Sequence, residues 1–209
     1  STAAGPAFEG ARITCGMRGA RGAIERVSVE DDLAIGVIGG GIPAGLCGSG
    51  LVDTVAELLN EGILTPQGRM RTREELPETV PEPLRARTAS ETDGEPAFTL
   101  YAGGQGARAI QLTQKDVREL QLAAGAIRAG IAILLKQEGL TAEDLQCVYI
   151  AGGFGAYLQK ENALRIGLFP PGVYPDRIRY VGNTALCGAK WAVLSTEARD
   201  QANLLAFEA

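Results

Sequence analysis

The chain has 209 residues, 45% of them apolar, and a formal net charge of −5. That length and apolar content suffice for a sizeable core, in one large domain or two small ones. No apolar run approaches the ~20 residues that span a bilayer, and no basic stripe offsets the acidic balance, which argues against a membrane span and against nucleic acid as a partner. The sequence opens on Ser1 with no signal-peptide pattern, so the expectation is a cytoplasmic chain, either cut from a longer protein or lacking its initiator Met.

Residues 1–13 read as a turn-rich loop. AIERVSVEDDLAIGVIGG holds two strand-like runs around an acidic turn and predicts a hairpin. In GLCGSGLVDTVAELLNEG, Leu51, Val52, Val55, Leu58 and Leu59 recur at helical spacing. Ser49 is the expected N-cap and Gly62 the stop. From Ile63 to Pro96 proline and charge are dense and no apolar period persists. A long surface connection with partial disorder, with room for one short helix, is expected there. AFTLYAGGQGARAIQLT predicts a second hairpin around GGQG.

Thr113 and Asp116 form a capping box with Asp in place of the usual Glu. Val117, Leu120, Ala124, Ile127, Ile131 and Leu134 then make one apolar stripe ended by Gly139. The helix should run for about 24 residues, or ~36 Å. CVYIAG predicts a strand, YLQKENALRIG a short helix, DRIRYVG a strand, and NTALCGAKWAVLSTEARDQ one final helix capped by Asn183. This order implies an α/β domain over 1–209, with residues 63–112, the irregular insert plus hairpin, as a smaller α+β subdomain.

Cys15, Cys47, Cys147 and Cys187 lie far apart, without a C-x-x-C pair, and there is no histidine. The spacing predicts reduced thiols rather than a zinc or iron–sulfur site in this chain.

Two glycine-rich turns open helices. YIAGGFGAYL places Gly152, Gly153, Phe154 and Gly155 at the end of a strand, and GLCGSG places Gly48, Ser49 and Gly50 at a helix start. Each alone is explained by turn geometry or N-capping. Together they suit a shared phosphate or nucleotide ligand, because such turns bare backbone amides at the positive end of a helix. The P-loop and Rossmann patterns are absent, so any nucleotide site belongs to another fold. Asp53 reads as a first-turn acid complementing the helix dipole.

GPAFEGARITCGM, GLCGSGLVD, LTQKDVRELQLAAGAIRAGI, YIAGGFGAYL, ALRIGLFP and VGNTALCGA follow one another in this order. Together they resemble the carboxy-terminal domain of the reductive activators of corrinoid proteins, over nearly the whole chain. The resemblance implies a partial fold of the ASKHA class (acetate and sugar kinases, chaperones, actin), here its second lobe. It implies a parent that uses ATP and magnesium to return an inactive Co(II) corrinoid to Co(I), with electrons from an upstream [2Fe–2S] domain. The implied partner is a corrinoid iron–sulfur protein or a corrinoid methyltransferase. The implied nucleotide contacts are Gly48, Ser49 and Gly50, then Gly152, Gly153, Phe154 and Gly155, with Lys115 and Gln121 on the long helix. The D-x-G-T hairpins that hold Mg-ATP phosphates in this class do not occur in the sequence. The resemblance places them upstream, so the chain alone is expected to be non-catalytic and to hold no cofactor. Two alternatives stand beside this reading. One is a binding or dimerisation module that uses the small residues Ala123, Ala124, Ala126 and Gly130. The other is a metabolite kinase of the same class, against which no hydroxyl-activating carboxylate motif is present.

Overall fold

A computed structural model describes residues 4–90, 94–104, 106–153 and 155–208. The first hairpin pairs β1 (Ala23–Val29) with β2 (Leu33–Val37) antiparallel, as the acidic turn predicts. A two-residue strand, β3 (Gly45–Leu46), joins the other edge of β1 in parallel and leads straight into helix α1 (Gly48–Asn60). Ser49 is not the N-cap of α1. The extended residue is Cys47 (φ −90°, ψ 174°) and Leu51 N–H already donates to Cys47 O, so Ser49 lies inside the first turn. Cys47 N–H and its thiol both donate to Ile24 O, at 3.2 and 3.3 Å, which ties the start of α1 to β1.

Residues 63–90 differ from the expected surface connection. Ile63, Leu64, Met70, Leu76, Val80 and Leu84 are buried in the same cluster as β1 and α1. Short turns, helix α2 (Glu82–Arg87) and strand β4 (Thr88–Ser90) deliver them inward one at a time. Residues arriving from turns carry no helical or strand period, so their burial leaves no pattern in the sequence. β4 pairs with β5 (Pro96–Tyr101), and β5 with β6 (Ile110–Thr113), in an antiparallel sheet. Phe98, Leu100, Ile110 and Leu112 from this sheet share that same core.

Helix α3 (Gln114–Glu138) has the predicted capping box of Thr113 and Asp116 and ends at Gly139 in the left-handed region (φ +67°). Its stripe is buried only in the first half. Val117, Leu120, Ala123 and Ala124 are covered, whereas Leu134 is 63% exposed. The small residues Ala123 and Ala124 are therefore used inside the chain's own core rather than on an open face.

β7 (Val148–Ile150) and β8 (Ile178–Tyr180) form a separate parallel pair, with helix α4 (Lys160–Arg165) between them in sequence. The predicted final helix is two helices, α5 (Thr184–Leu194) and α6 (Thr196–Glu208). Ser195 breaks them by turning extended (φ −138°, ψ 123°), and its hydroxyl accepts from Ala198 N–H at 3.2 Å, restarting the helix as a cap. Among the described residues, no helix is long and apolar enough to cross a membrane.

Candidate functional site

The two glycine-rich turns meet. Gly48 and Ser49, from the start of α1, and Gly153, from the turn after β7, line one cavity of about 430 Å³. Phe8 and Glu9 from the N-terminal turn, Arg18 and Glu25 from the approach to β1 and from β1 itself, and Tyr157 also line it, beside Gly19, Ile38 and Cys47. Among the described residues no side chain caps α1, which leaves its first-turn amides as donors at the positive end of a helix. The charged rim is mixed, one guanidinium against two carboxylates.

Each glycine has its own role. Gly152 holds φ +98°, and its N–H donates to Gly182 O at 2.8 Å, prolonging the β7–β8 pairing before the chain turns away. Gly155 is buried, and a Cβ there would lie 2.4 Å from Ile150 Cγ2. Gly50 faces the protein rather than the cavity, since its Cβ would lie 2.2 Å from Ile24 O. Phe154 lies outside the described residues.

The long-helix candidates are elsewhere. Lys115 is exposed on the first turn of α3. Gln121 donates to Gln67 O at 3.0 Å and borders a second cavity of about 620 Å³ between α1, α3 and α4. The structure brings neither residue to the Gly48–Gly153 cavity.

Asp53 is not the dipole partner that its sequence position suggests. It sits past the first turn of α1 and is 1% exposed. Its Oδ1 accepts from Asn162 Nδ2 at 2.8 Å, and its Oδ2 accepts from Gln159 Nε2 at 2.9 Å and Val27 N at 3.3 Å. Burial pushes its pKa up, and these hydrogen bonds pull partly against that rise. The partners lie 26, 106 and 109 positions away, so no local signal marks the site. Asn162 in turn accepts from Arg165 Nη1 at 3.1 Å. Just before α4, the Tyr180 hydroxyl donates to Leu158 O, and Lys160 Nζ lies 5.4 Å from the Tyr180 ring centre.

All four cysteines are free, and of them Cys47 borders the cavity. Among the described residues, no group of three or more His, Cys, Asp or Glu is placed to hold a metal ion. This chain's cysteines do not fit an iron–sulfur cluster.

The family model described as the C-terminal domain of RACo, the ASKHA domain, matches residues 1–208. The chain is 40% identical over 200 residues to the corrinoid activation enzyme RamQ of Eubacterium limosum, covering 94% of this chain and 33% of that protein. It is 30% identical over 223 residues to the Co(II) methylated amine-specific corrinoid protein reductase of Methanosarcina barkeri, covering 96% and 36%. A solved structure titled reductive activator for corrinoid, iron–sulfur protein superposes with a TM-score of 0.81 at 38% identity, covering 97% of this chain and 31% of that one. The chain thus spans about a third of the length of the relatives it matches.

Proposed function

The chain belongs to the family of the C-terminal ASKHA domain of RACo, and from that membership we propose that it is the nucleotide-handling lobe of a longer, ATP-dependent reductive activator of a corrinoid protein. The activator's reaction adds one electron to a Co(II) corrinoid and yields Co(I). The observation that carries the reading is the convergence of Gly48, Ser49 and Gly153 on one cavity.

In this reading the amides of Gly48 and Ser49 donate to oxygens of the nucleotide. Gly153 lets the ligand approach a backbone with no side chain in the way. Arg18 supplies positive charge at the rim, and Glu9 and Glu25 accept from ribose hydroxyls or the adenine amino group. Bound ATP biases the activator toward one arrangement with its partner, through different affinity for the two arrangements. The electron comes from an iron–sulfur domain of the longer protein. Magnesium is held in the same way by carboxylates outside this chain.

The test is reduction of a Co(II) corrinoid protein by the full-length activator, followed by the cobalt absorbance with and without ATP. Reduction that requires ATP supports the proposal. Equal reduction without nucleotide overturns it, and phosphate transfer to a sugar or short-chain acid favours the kinase reading instead.

Self-association is a second reading, favoured by one observation. Trp191, Val193, Leu194 and Phe207 on α5 and α6 are exposed, the last at 93%. Apolar residues gathered on neighbouring helices are the composition of a covered face.

A further inference from the structure

We propose that Asp53 is the positioning residue that sets the separation of the two glycine mouths of the nucleotide cavity, an inference that rests on the nucleotide reading above. One mouth is the start of α1, five residues before Asp53 on the same rigid helix. The other is the Gly152–Gly153 turn, which reaches α4 through Tyr157 and Leu158. Gln159 and Asn162, at the entry of α4, both donate to the Asp53 carboxylate. Val27 N–H, from the central strand of the first sheet, donates to it as well. One buried carboxylate thereby joins β1, whose Glu25 lines the cavity, the helix that presents one mouth, and the segment that carries the other.

The donor arithmetic makes the site specific for a carboxylate. Three N–H groups converge on two oxygens, and a carboxylate accepts all three without donating any. The substitution Asp53→Asn keeps one acceptor for Gln159 and Val27 but turns an N–H₂ group toward Asn162. Asn162 cannot simply flip to receive it, because its oxygen already accepts from Arg165. The misfit therefore falls on the α4 side of the joint, where the Gly153 turn is anchored. Exchanging the two side chains repairs it. In the double variant D53N/N162D, the amide introduced at position 53 donates to the carboxylate introduced at position 162, which also receives Arg165. The oxygen of that same amide accepts from Gln159 and Val27.

The experiment uses the full-length activator that contains this chain, with the fluorescent methylanthraniloyl derivative of ATP as probe. Binding is titrated for the wild type, D53N and D53N/N162D. A fourth variant, F98L, serves as a destabilised control, since Phe98 is buried in the common core but neither lines the cavity nor bonds to Asp53. Backbone hydrogen exchange over residues 152–158 is followed in parallel, without nucleotide. The expected result is binding at least tenfold weaker in D53N, restored to within about threefold by the double variant and left within twofold by F98L. Exchange at 152–158 should rise in D53N and return in the double variant. An unchanged affinity in D53N, an equal loss in F98L, or a double variant no better than D53N overturns the inference. If the wild type itself fails to bind the probe, the nucleotide reading fails. Exchange then decides Asp53 by itself, and protection at 152–158 that D53N does not alter sinks it.

Discussion

Asp116 accepts hydrogen bonds from both the amide and the hydroxyl of Thr14, at 2.7 and 3.0 Å, across 102 residues of sequence. Its other oxygen accepts from Thr113 N–H at 2.9 Å, so the carboxylate that caps α3 also staples the N-terminal segment onto the helix. Asp116 is fully buried. Asp116→Ala should therefore cost about 1–3 kcal/mol, combining the lost cap with the two bonds from Thr14, which is itself exposed and can turn to water. Thr14→Ala, which keeps the backbone bond, should cost only ~1 kcal/mol. Urea unfolding of both variants checks the ordering, and equal losses would show that the cap and the Thr14 backbone bond contribute nothing beyond the Thr14 hydroxyl.

Glycine substitutions separate packing from binding. An alanine at Gly50 drives its methyl into Ile24 O and should destabilise by about 1–3 kcal/mol through overpacking. At Gly153, among the described residues, no atom lies within 4 Å of an added Cβ, and φ is outside the left-handed region. Gly153→Ala should leave the melting temperature unchanged while weakening nucleotide binding, because its methyl occupies the approach to the backbone. Thermal melts alongside nucleotide titration distinguish the two outcomes, and full binding in Gly153→Ala would count against the cavity as the nucleotide site.

Arg87 grips Asp32 with two parallel bonds, Nε to Oδ1 at 3.0 Å and Nη2 to Oδ2 at 3.1 Å, tying α2 to the turn of the first hairpin. The Arg87 bonds, helped by Leu33 N–H, hold the Asp32 carboxyl below its ordinary value of 3.8. A lowered native value means that the unfolded chain takes up the proton more readily. The stabilisation is complete above the ordinary value and is lost as pH falls through the lower native one. Because the pair is partly exposed, its worth is below about 1 kcal/mol and shrinks with salt. Asp32→Asn should match the wild type in acid and fall behind it by that margin at neutral pH in low salt. Stability curves across pH at two ionic strengths would reveal it, and a gap that persists in acid would refute the assignment.

Trp191 is the only tryptophan in the chain and is 70% exposed. If the α5–α6 face mediates self-association, its emission should move to the blue as protein concentration rises, in step with the sedimentation coefficient. Emission typical of indole in water at every concentration, with monomeric sedimentation, would remove that reading.

The parts of the fold that can be read in advance are those whose causes lie within a few residues. The capping box at Thr113, the stop at Gly139 and the acidic turn of the first hairpin are closed by bonds spanning short stretches of chain. The twin glycine turns are visible for the same reason. Their convergence is not, since nothing local says that position 48 and position 153 face one space. Ser49 looks like a cap because the sequence does not show that Cys47 is held extended with its N–H on Ile24 O at 3.2 Å, a carbonyl 23 residues earlier. The break at Ser195 is equally hidden, as its serine is an ordinary helix residue until its hydroxyl turns to Ala198.

By itself, then, the sequence determined the main helices, the hairpins, the glycine turns and the family, because short-range hydrogen bonding and apolar period are written in neighbouring residues. Only the tertiary structure decided that residues 63–84 enter the core, that Gln121 lies away from the cavity, and that Asp53 is a buried joint rather than a dipole partner. Those outcomes depend on donors and apolar surfaces that the chain brings together from distant positions, and contacts of that kind leave no periodic trace.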